Sequence, residues 1–189
     1  MIRASLLLPL LLLSTAACDV QAPAGDARAR SLVAAEGPSR PLPALTGRVV
    51  DQADLLTAPA EAELGASLAA LEKETSDQLV VVTVASLDKE PVEELGLRLG
   101  NGWGIGRKDL DNGVLLLVAP NDRRARIEVG KGLEGLLTDQ RAQRIMDETM
   151  VPACREGRCD RAVTEGVAAI AKVLRSDPKR PRRKPGAER

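Results

Sequence analysis

The stretch GWGIGRKDLDNGVLLLVA, from Gly102 to Ala119, sets Asp109, Asp111 and the amide of Asn112 at the mouth of a continuous apolar run. A second acidic loop, GKGLEGLLTD, carries Glu134 and Asp139. Carboxylates, an amide oxygen and carbonyls exposed by glycine are donors for a hard cation. Calcium takes about 6–8 such oxygens in a flexible shell. Asp51, in RVVDQADLL, is a further carboxylate that could fold over the same place. The spacing is not that of an EF-hand, because DLDNG brings its glycine one position early and no distal bidentate Glu follows. The same residues also read as a turn with an Asx cap at Asp111 and Asn112 among solvated charges.

Arg107, Lys108 and Lys131 stand beside these acids and could neutralise a phosphoryl group, which makes a metal-dependent phosphatase the alternative to a binding module. A nucleophile is harder to find. Thr138 and Asp139 are near, but Thr138 reads better as a helix cap. The chain has no His, Phe or Tyr, and Trp103 is its one aromatic. The usual Ser-His-Asp and Cys-His systems are therefore excluded, as are imidazole zinc sites. Stacking platforms for single-stranded nucleic acid are excluded too. Lys+Arg and Asp+Glu balance at 27 each, so no global field favours nucleic acid. GKGLEG is literally G-x-G-x-x-G. The strand before it alternates, however, and no acidic-ended strand follows about 20 residues on. No nicotinamide cofactor is expected, and Gly130 and Gly132 read as turn glycines. Trp103 reads as a packed anchor for its loop.

The elements around these loops follow from periodicity. Thr57 is an N-cap for a helix with Leu64, Leu68 and Leu71 on one face. LVVVTVA (79–85) and GVLLLVA (113–119) hardly alternate, as strands covered on both faces do. A short helix lies between them at 91–99. After the turn PNDR, RARIEV (124–129) alternates cleanly, with Ala125, Ile127 and Val129 inward and Arg124, Arg126 and Glu128 on a wet face. Helices over about 138–151 and 160–174 close the domain. The pattern predicts an α/β fold with a small mixed sheet and helices on both faces. The hairpin also forces the loop before 113 and the loop after 129 to share one end of the sheet.

The chain opens MIRASLLLPLLLLSTAACDV. Arg3, the apolar stretch 4–13 and the small residues before Cys18 read as an export signal over 1–17, too short to span a bilayer. The small residues before Cys18 are similar to a bacterial lipoprotein box. Cys18 would then carry the lipid; the alternative is plain cleavage beside a free thiol. Lipidation leaves Cys154 and Cys159 as a pair across CREGRC, either a disulfide allowed by an oxidising compartment or two thiols. Residues 18–43 read as a tether, 44–175 as the domain, and 176–189 as a basic tail without helix. The tail is either solvated or in contact with anionic lipid. The expected location is a bacterial membrane, facing the periplasm.

VVDQADLLT, GWGIGRKDLDNGVLLLVA, RARIEVGKGLEGLLTD and VPACREG, in this order, resemble the TPM domain family over roughly 47–174. The resemblance implies a compact three-layer α/β/α sandwich. It implies calcium binding, with Asp51, Asp111, Asn112 and Glu134 at the family's recurrent polar positions, and Asp109 and Asp139 as additional donors by topology. Bacterial members are often exported and membrane-attached, a plant thylakoid-lumen member is tied to photosystem II repair, and an acid phosphatase activity has been proposed for the family. An accessory role beside membrane proteins is the function this implies. The chain departs from the family in having Ala153, Cys154 and Cys159 where aromatics are usual.

Overall fold

Successive residues of the two central strands feed two different cores. Leu79 and Val81 pack on one side with Val114, Leu116 and Val118, while Val80 and Val82 pack on the other with Leu115, Leu117 and Ala119. This is why neither strand alternates in polarity: both faces are dry. The computed structural model describes residues 41–178. The expected export signal, Cys18, most of the expected tether and the tail beyond 178 lie outside the described residues.

The elements are β1 (Val49–Asp51), α1 (Ala58–Thr75), β2 (Gln78–Thr83), α2 (Val92–Trp103), β3 (Gly113–Ala119), β4 (Arg124–Val129), α3 (Asp139–Ile145), a π-helical turn (Met146–Met150), α4 (Val151–Arg155) and α5 (Cys159–Arg175). The sheet order is β1-β2-β3-β4, with the first three strands parallel and β4 antiparallel. The first core takes in α1, α3, α4 and α5, and the second takes in α2. The result is the three-layer α/β/α arrangement around a small mixed sheet. Leu68, Leu71, Ile170 and Leu174 are almost fully buried in the first core, each removal from water being worth about 1.5–3 kcal/mol.

Several local readings change. β1 is a strand of three residues, too short to stand out by pattern. α2 continues past Leu99 to Trp103, through Gly100 and Gly102. Gly96 lets the helix approach β4, because a Cβ there would meet the side chain of Glu128 at 2.9 Å. Glu128 and its ion-pair partner Arg126 (2.8 Å) are therefore half-buried under α2, not on a wet face. The helix expected over 138–151 is divided by the π-helical turn. Pro152 cannot donate to the carbonyl one turn back and its ring crowds that carbonyl, which the wider turn accommodates. Cys154 and Cys159 are joined by a disulfide, with Cα atoms 4.2 Å apart.

Candidate functional site

Strand register decides which polar residues can meet. Gln78 lies opposite Gly113, while Asp51 lies opposite Thr83, which lies opposite Val118. Asp51 therefore sits at the carboxyl end of the parallel strands, and Asp111, Asn112 and Glu134 sit at the amino end. Five residues of β2 separate the two levels, about 16 Å at the ordinary strand rise. The four expected ligands do not converge, and the set does not fit one ion. The hairpin of β3 and β4 brings the two acidic loops together but does not reach Asp51, whose position is set by β1 pairing.

At the amino end, loops lie backbone against backbone. The Gly132 N–H donates to the Asp111 carbonyl (3.1 Å) and the Gly130 N–H to the Gly113 carbonyl (2.8 Å). A Cβ on Gly132 would fall on the Leu110 carbonyl, and one on Gly130 on the Asp111 carbonyl. Neither glycine has a positive φ, so close approach, not a left-handed turn, requires them. Asn112 is 4% exposed. Its Oδ1 accepts from the Arg107 N–H (3.0 Å), and its Nδ2 donates to the Ser76 carbonyl (2.6 Å) and Asp77 Oδ1 (3.2 Å). Asn112 thus closes its own loop and ties it to the end of α1. Asp111 supplies conformation: its φ of 47° is left-handed, a region Asp tolerates. Gln78 extends the network, accepting from the Gly106 N–H (2.7 Å) and donating to Glu72 Oε1 (3.0 Å). Sequence reasoning missed Gln78, whose signal was a polar residue directly before an apolar strand.

Asp109, Asp111, Glu134 and Asp139 are all exposed, as are Arg107, Lys108 and Lys131. Among the described residues, no three of His, Cys, Asp and Glu stand close enough to hold a metal. Thr138 is the N-cap of α3, its hydroxyl accepting from the Arg141 N–H (3.3 Å). Trp103 anchors the incoming chain by donating to the Pro43 carbonyl (2.9 Å). Pro43 and Leu42, which packs beside Trp103, therefore belong to the domain rather than the tether.

At the carboxyl end, Asp51 has structural work. One oxygen accepts from the Leu56 N–H (2.7 Å), the other from the hydroxyl of fully buried Thr83, which in turn accepts from the Ala53 N–H (3.0 Å). The carboxylate so fixes the connection from β1 to α1. Thr83 was also missed, although it is the one polar side chain in LVVVTVA. Asp51→Ala is expected to cost about 2–3 kcal/mol in urea unfolding without any metal, and Asp51→Asn less, since hydrogen bonds to a charged group contribute about 1.5–3 kcal/mol. A carboxylate held only for an ion would leave metal-free stability unchanged on removal.

Glu72 lies at the amino end of β2 beside Arg48 (2.7 Å). Burial raises its pKa, but hydrogen bonds from Gln78 and Arg48 and the charges of Arg48 and Arg107 outweigh it and hold the carboxyl below the ordinary glutamate value. A depressed folded pKa contributes stability that is present above the unfolded pKa and lost as pH falls through the folded one. The stability contributed by Glu72 should therefore fall away below the ordinary glutamate range, and Glu72→Gln should flatten that part of an acid titration of unfolding.

The family model described as TPM domain matches residues 49–173. Among solved structures, the N-terminal domain of a protein from P. gingivalis is 36% identical, with 68% of this chain and 82% of that one covered and a TM-score of 0.64. The BA42 protein from the psychrophilic bacterium Bizionia argentinensis is 21% identical, with coverage of 63% and 81% and a TM-score of 0.55. The N-terminal domain of the cg2496 protein from Corynebacterium glutamicum is 15% identical, with coverage of 78% and 91% and a TM-score of 0.55. The last two speak for the fold alone. None of the curated proteins matches the chain.

Proposed function

The chain belongs to the TPM domain family, and from that premise we propose that it is an exported, membrane-tethered binding module that assists the assembly or maintenance of membrane proteins. The observation that carries this reading is what the polar side chains offered as ligands or nucleophiles, and the Thr83 hydroxyl beside them, are doing. Asp51 and Thr83 hold a chain connection, Thr138 caps a helix, and Asn112 closes a loop. A phosphoryl-transfer nucleophile needs a hydroxyl or carboxylate next to a base and directed at a substrate; these groups are turned to backbone or, as with the fully buried Thr83 hydroxyl on Asp51, to each other. Tethering rests on the export signal and the small residues before Cys18. No helix among the described residues is long and apolar enough to cross a membrane, so a lipid on Cys18 would supply the attachment.

Calcium is the proposed ligand of the amino-end loops. As the domain stands, no three acidic side chains gather there among the described residues, so Asp109, Asp111 and Glu134 would have to draw together around the ion, helped by carbonyls of the loop backbone. Asp51 is excluded by its place at the other end, and Asn112 by burial and an oxygen that already accepts an N–H. The family's link to phosphatase-like function keeps a metal-dependent phosphatase as the second reading.

Three measurements separate these readings. Calcium at about 100 times its dissociation constant should add roughly 2.7 kcal/mol to stability, reversibly with chelator, and Asp111→Asn with Glu134→Gln should remove the gain. The same sample should not turn over a generic phosphate ester; turnover abolished by Asp111→Ala would install the enzyme instead. Palmitate labelling in the cell should disappear in Cys18→Ser, and labelling that persists would remove the proposed anchor.

A further inference from the structure

β4 forms one outer edge of the sheet, and among the described residues no strand pairs with its far side. The opposite edge, β1, has three residues, whereas β4 has six. The ladder on the β3 side decides what the β4 edge offers. Gly130 and Gly132 donate to the carbonyls of Gly113 and Asp111, in the register that pairs Glu128 with Leu115 and Arg126 with Leu117. Bonded and unbonded pairs alternate along an antiparallel ladder. Arg124, Arg126 and Glu128 therefore turn their N–H and C=O groups toward β3, while Ala125, Ile127 and Val129 turn theirs outward. Edge strands invite pairing, and proteins commonly guard them with lysine or proline. Here the edge carries opposite charges two residues apart. Arg126 and Glu128 are half-buried on the α2 face, and Ala125 and Val129 pack on the first core yet stay half-buried. α2 adds an apolar residue beside them. Its Gly96 lies against Glu128, and the charge of its Glu93 acts on Arg126. Leu97 follows Glu93 by one turn, on the same flank. It is 56% exposed, more than either other exposed leucine.

We propose that two copies of this chain pair through β4, antiparallel about a two-fold axis between Ile127 and the partner's Ile127, joining the two sheets into one. In this register Ala125 bonds the partner's Val129, using outward groups on both strands. Arg126 stands opposite the partner's Glu128, and by symmetry Glu128 stands opposite the partner's Arg126. These are the closely spaced, non-hydrogen-bonded pairs of the new ladder, where opposite charges stabilise. Arg124 faces the partner's Gly130. Charge selects this register among those the backbone allows. A slip by two residues one way sets Arg126 against the partner's Arg126, and the other way sets Glu128 against the partner's Glu128. A slip by one opposes outward groups to groups already bonded within a sheet. The axis stands perpendicular to the sheet, so α2 of both copies lies on one side of it. The Leu97 flanks then face each other across the joint. The pairing needs neither the membrane tether nor calcium, and it stands or falls apart from both.

The test uses the chain from residue 18 onward with Cys18→Ser, so that neither lipid nor a bridge through Cys18 joins copies. Analytical sedimentation over about a hundredfold range of concentration should show monomer giving way to dimer. Ala125→Pro removes an outward N–H, a change an edge strand tolerates, and should leave only monomer. Leu97→Ser, at a residue in neither core, should weaken the dimer about tenfold. Leu110→Ser, at another exposed leucine, should change nothing. Exchanging the charges, Arg126→Glu with Glu128→Arg, keeps the ion pair within each chain and across a like partner. That variant should pair with itself as the parent does. It should mix with the parent at least about tenfold less readily, because every mixed pair opposes like charges. Energy transfer between labelled copies reads the mixing, and thermal unfolding checks that each variant is folded. A chain that stays monomeric throughout, or a dimer indifferent to a folded Ala125→Pro, would overturn the proposal. Free mixing of the exchanged variant with the parent would do the same, and it decides the matter even where Ala125→Pro does not fold.

Discussion

Asn112→Leu is expected to destabilise the domain by about 3–5 kcal/mol, the largest effect of any single polar substitution here. Leucine has the same branched outline and is somewhat larger, so no cavity explains the loss. What disappears is one acceptor and two donors at a position 4% exposed. The Arg107 N–H and the Ser76 carbonyl lose their partner together, and each buried group left unmatched costs about 1–3 kcal/mol. Among the described residues no buried side-chain polar atom currently lacks a partner, so the variant would introduce a defect the native domain does not have. Asn112→Asp is the sharper probe. It keeps an acceptor for Arg107 but can no longer donate, and it brings a second carboxylate against Asp77. Like charges that close raise the pKa of the pair. A raised folded pKa means the penalty is full at neutral pH and shrinks as the pair is protonated. Urea unfolding across pH should therefore show Asn112→Asp recovering on acidification while Asn112→Leu does not. A loss below about 1 kcal/mol for leucine would mean that water replaces the amide.

The sheet and its dry faces were legible because covered strands write themselves as apolar runs, and the α/β class with a mixed sheet follows from two such segments, the alternating strand that follows them and the helices between. The contact between the two acidic loops was legible too, since a hairpin leaves its flanking loops no other place. The position of Asp51 was not. It depends on the pairing of a three-residue strand, a long-range choice that no local period encodes. The roles of Gln78 and Thr83 escaped for a related reason. Their partners are 28 and 32 residues away in sequence, so the polarity of each residue was visible but its use was not. The covering of Glu128 by α2 rests on Gly96, a helix glycine whose close approach is only interpretable once its neighbour is known.

Gly132→Ala and Gly135→Ala are expected to part company, and the difference reports what GKGLEG is for. At Gly132 a methyl group would land on the Leu110 carbonyl and crowd that of Asp111. Both are backbone atoms, with no flexible side chain to move aside. The loop from Arg107 to Asn112 must shift, which strains the Gly132 N–H bond to Asp111 and the Asn112 bond to Arg107. Overpacking with backbone displacement costs about 1–3 kcal/mol, occasionally more, and any calcium affinity of the paired loops should fall with it. At Gly135 a methyl group meets nothing within 4 Å, and φ is not positive. Gly135→Ala should be neutral, or stabilising by about 0.4–1 kcal/mol through a less entropic unfolded chain. A dinucleotide fingerprint makes the opposite demand. Its third glycine is there for tight packing of helix on strand, so alanine at Gly135 should then be as damaging as at Gly132. Unfolding midpoints of the two variants, measured without any ligand, decide between a loop-to-loop contact and a nucleotide cradle.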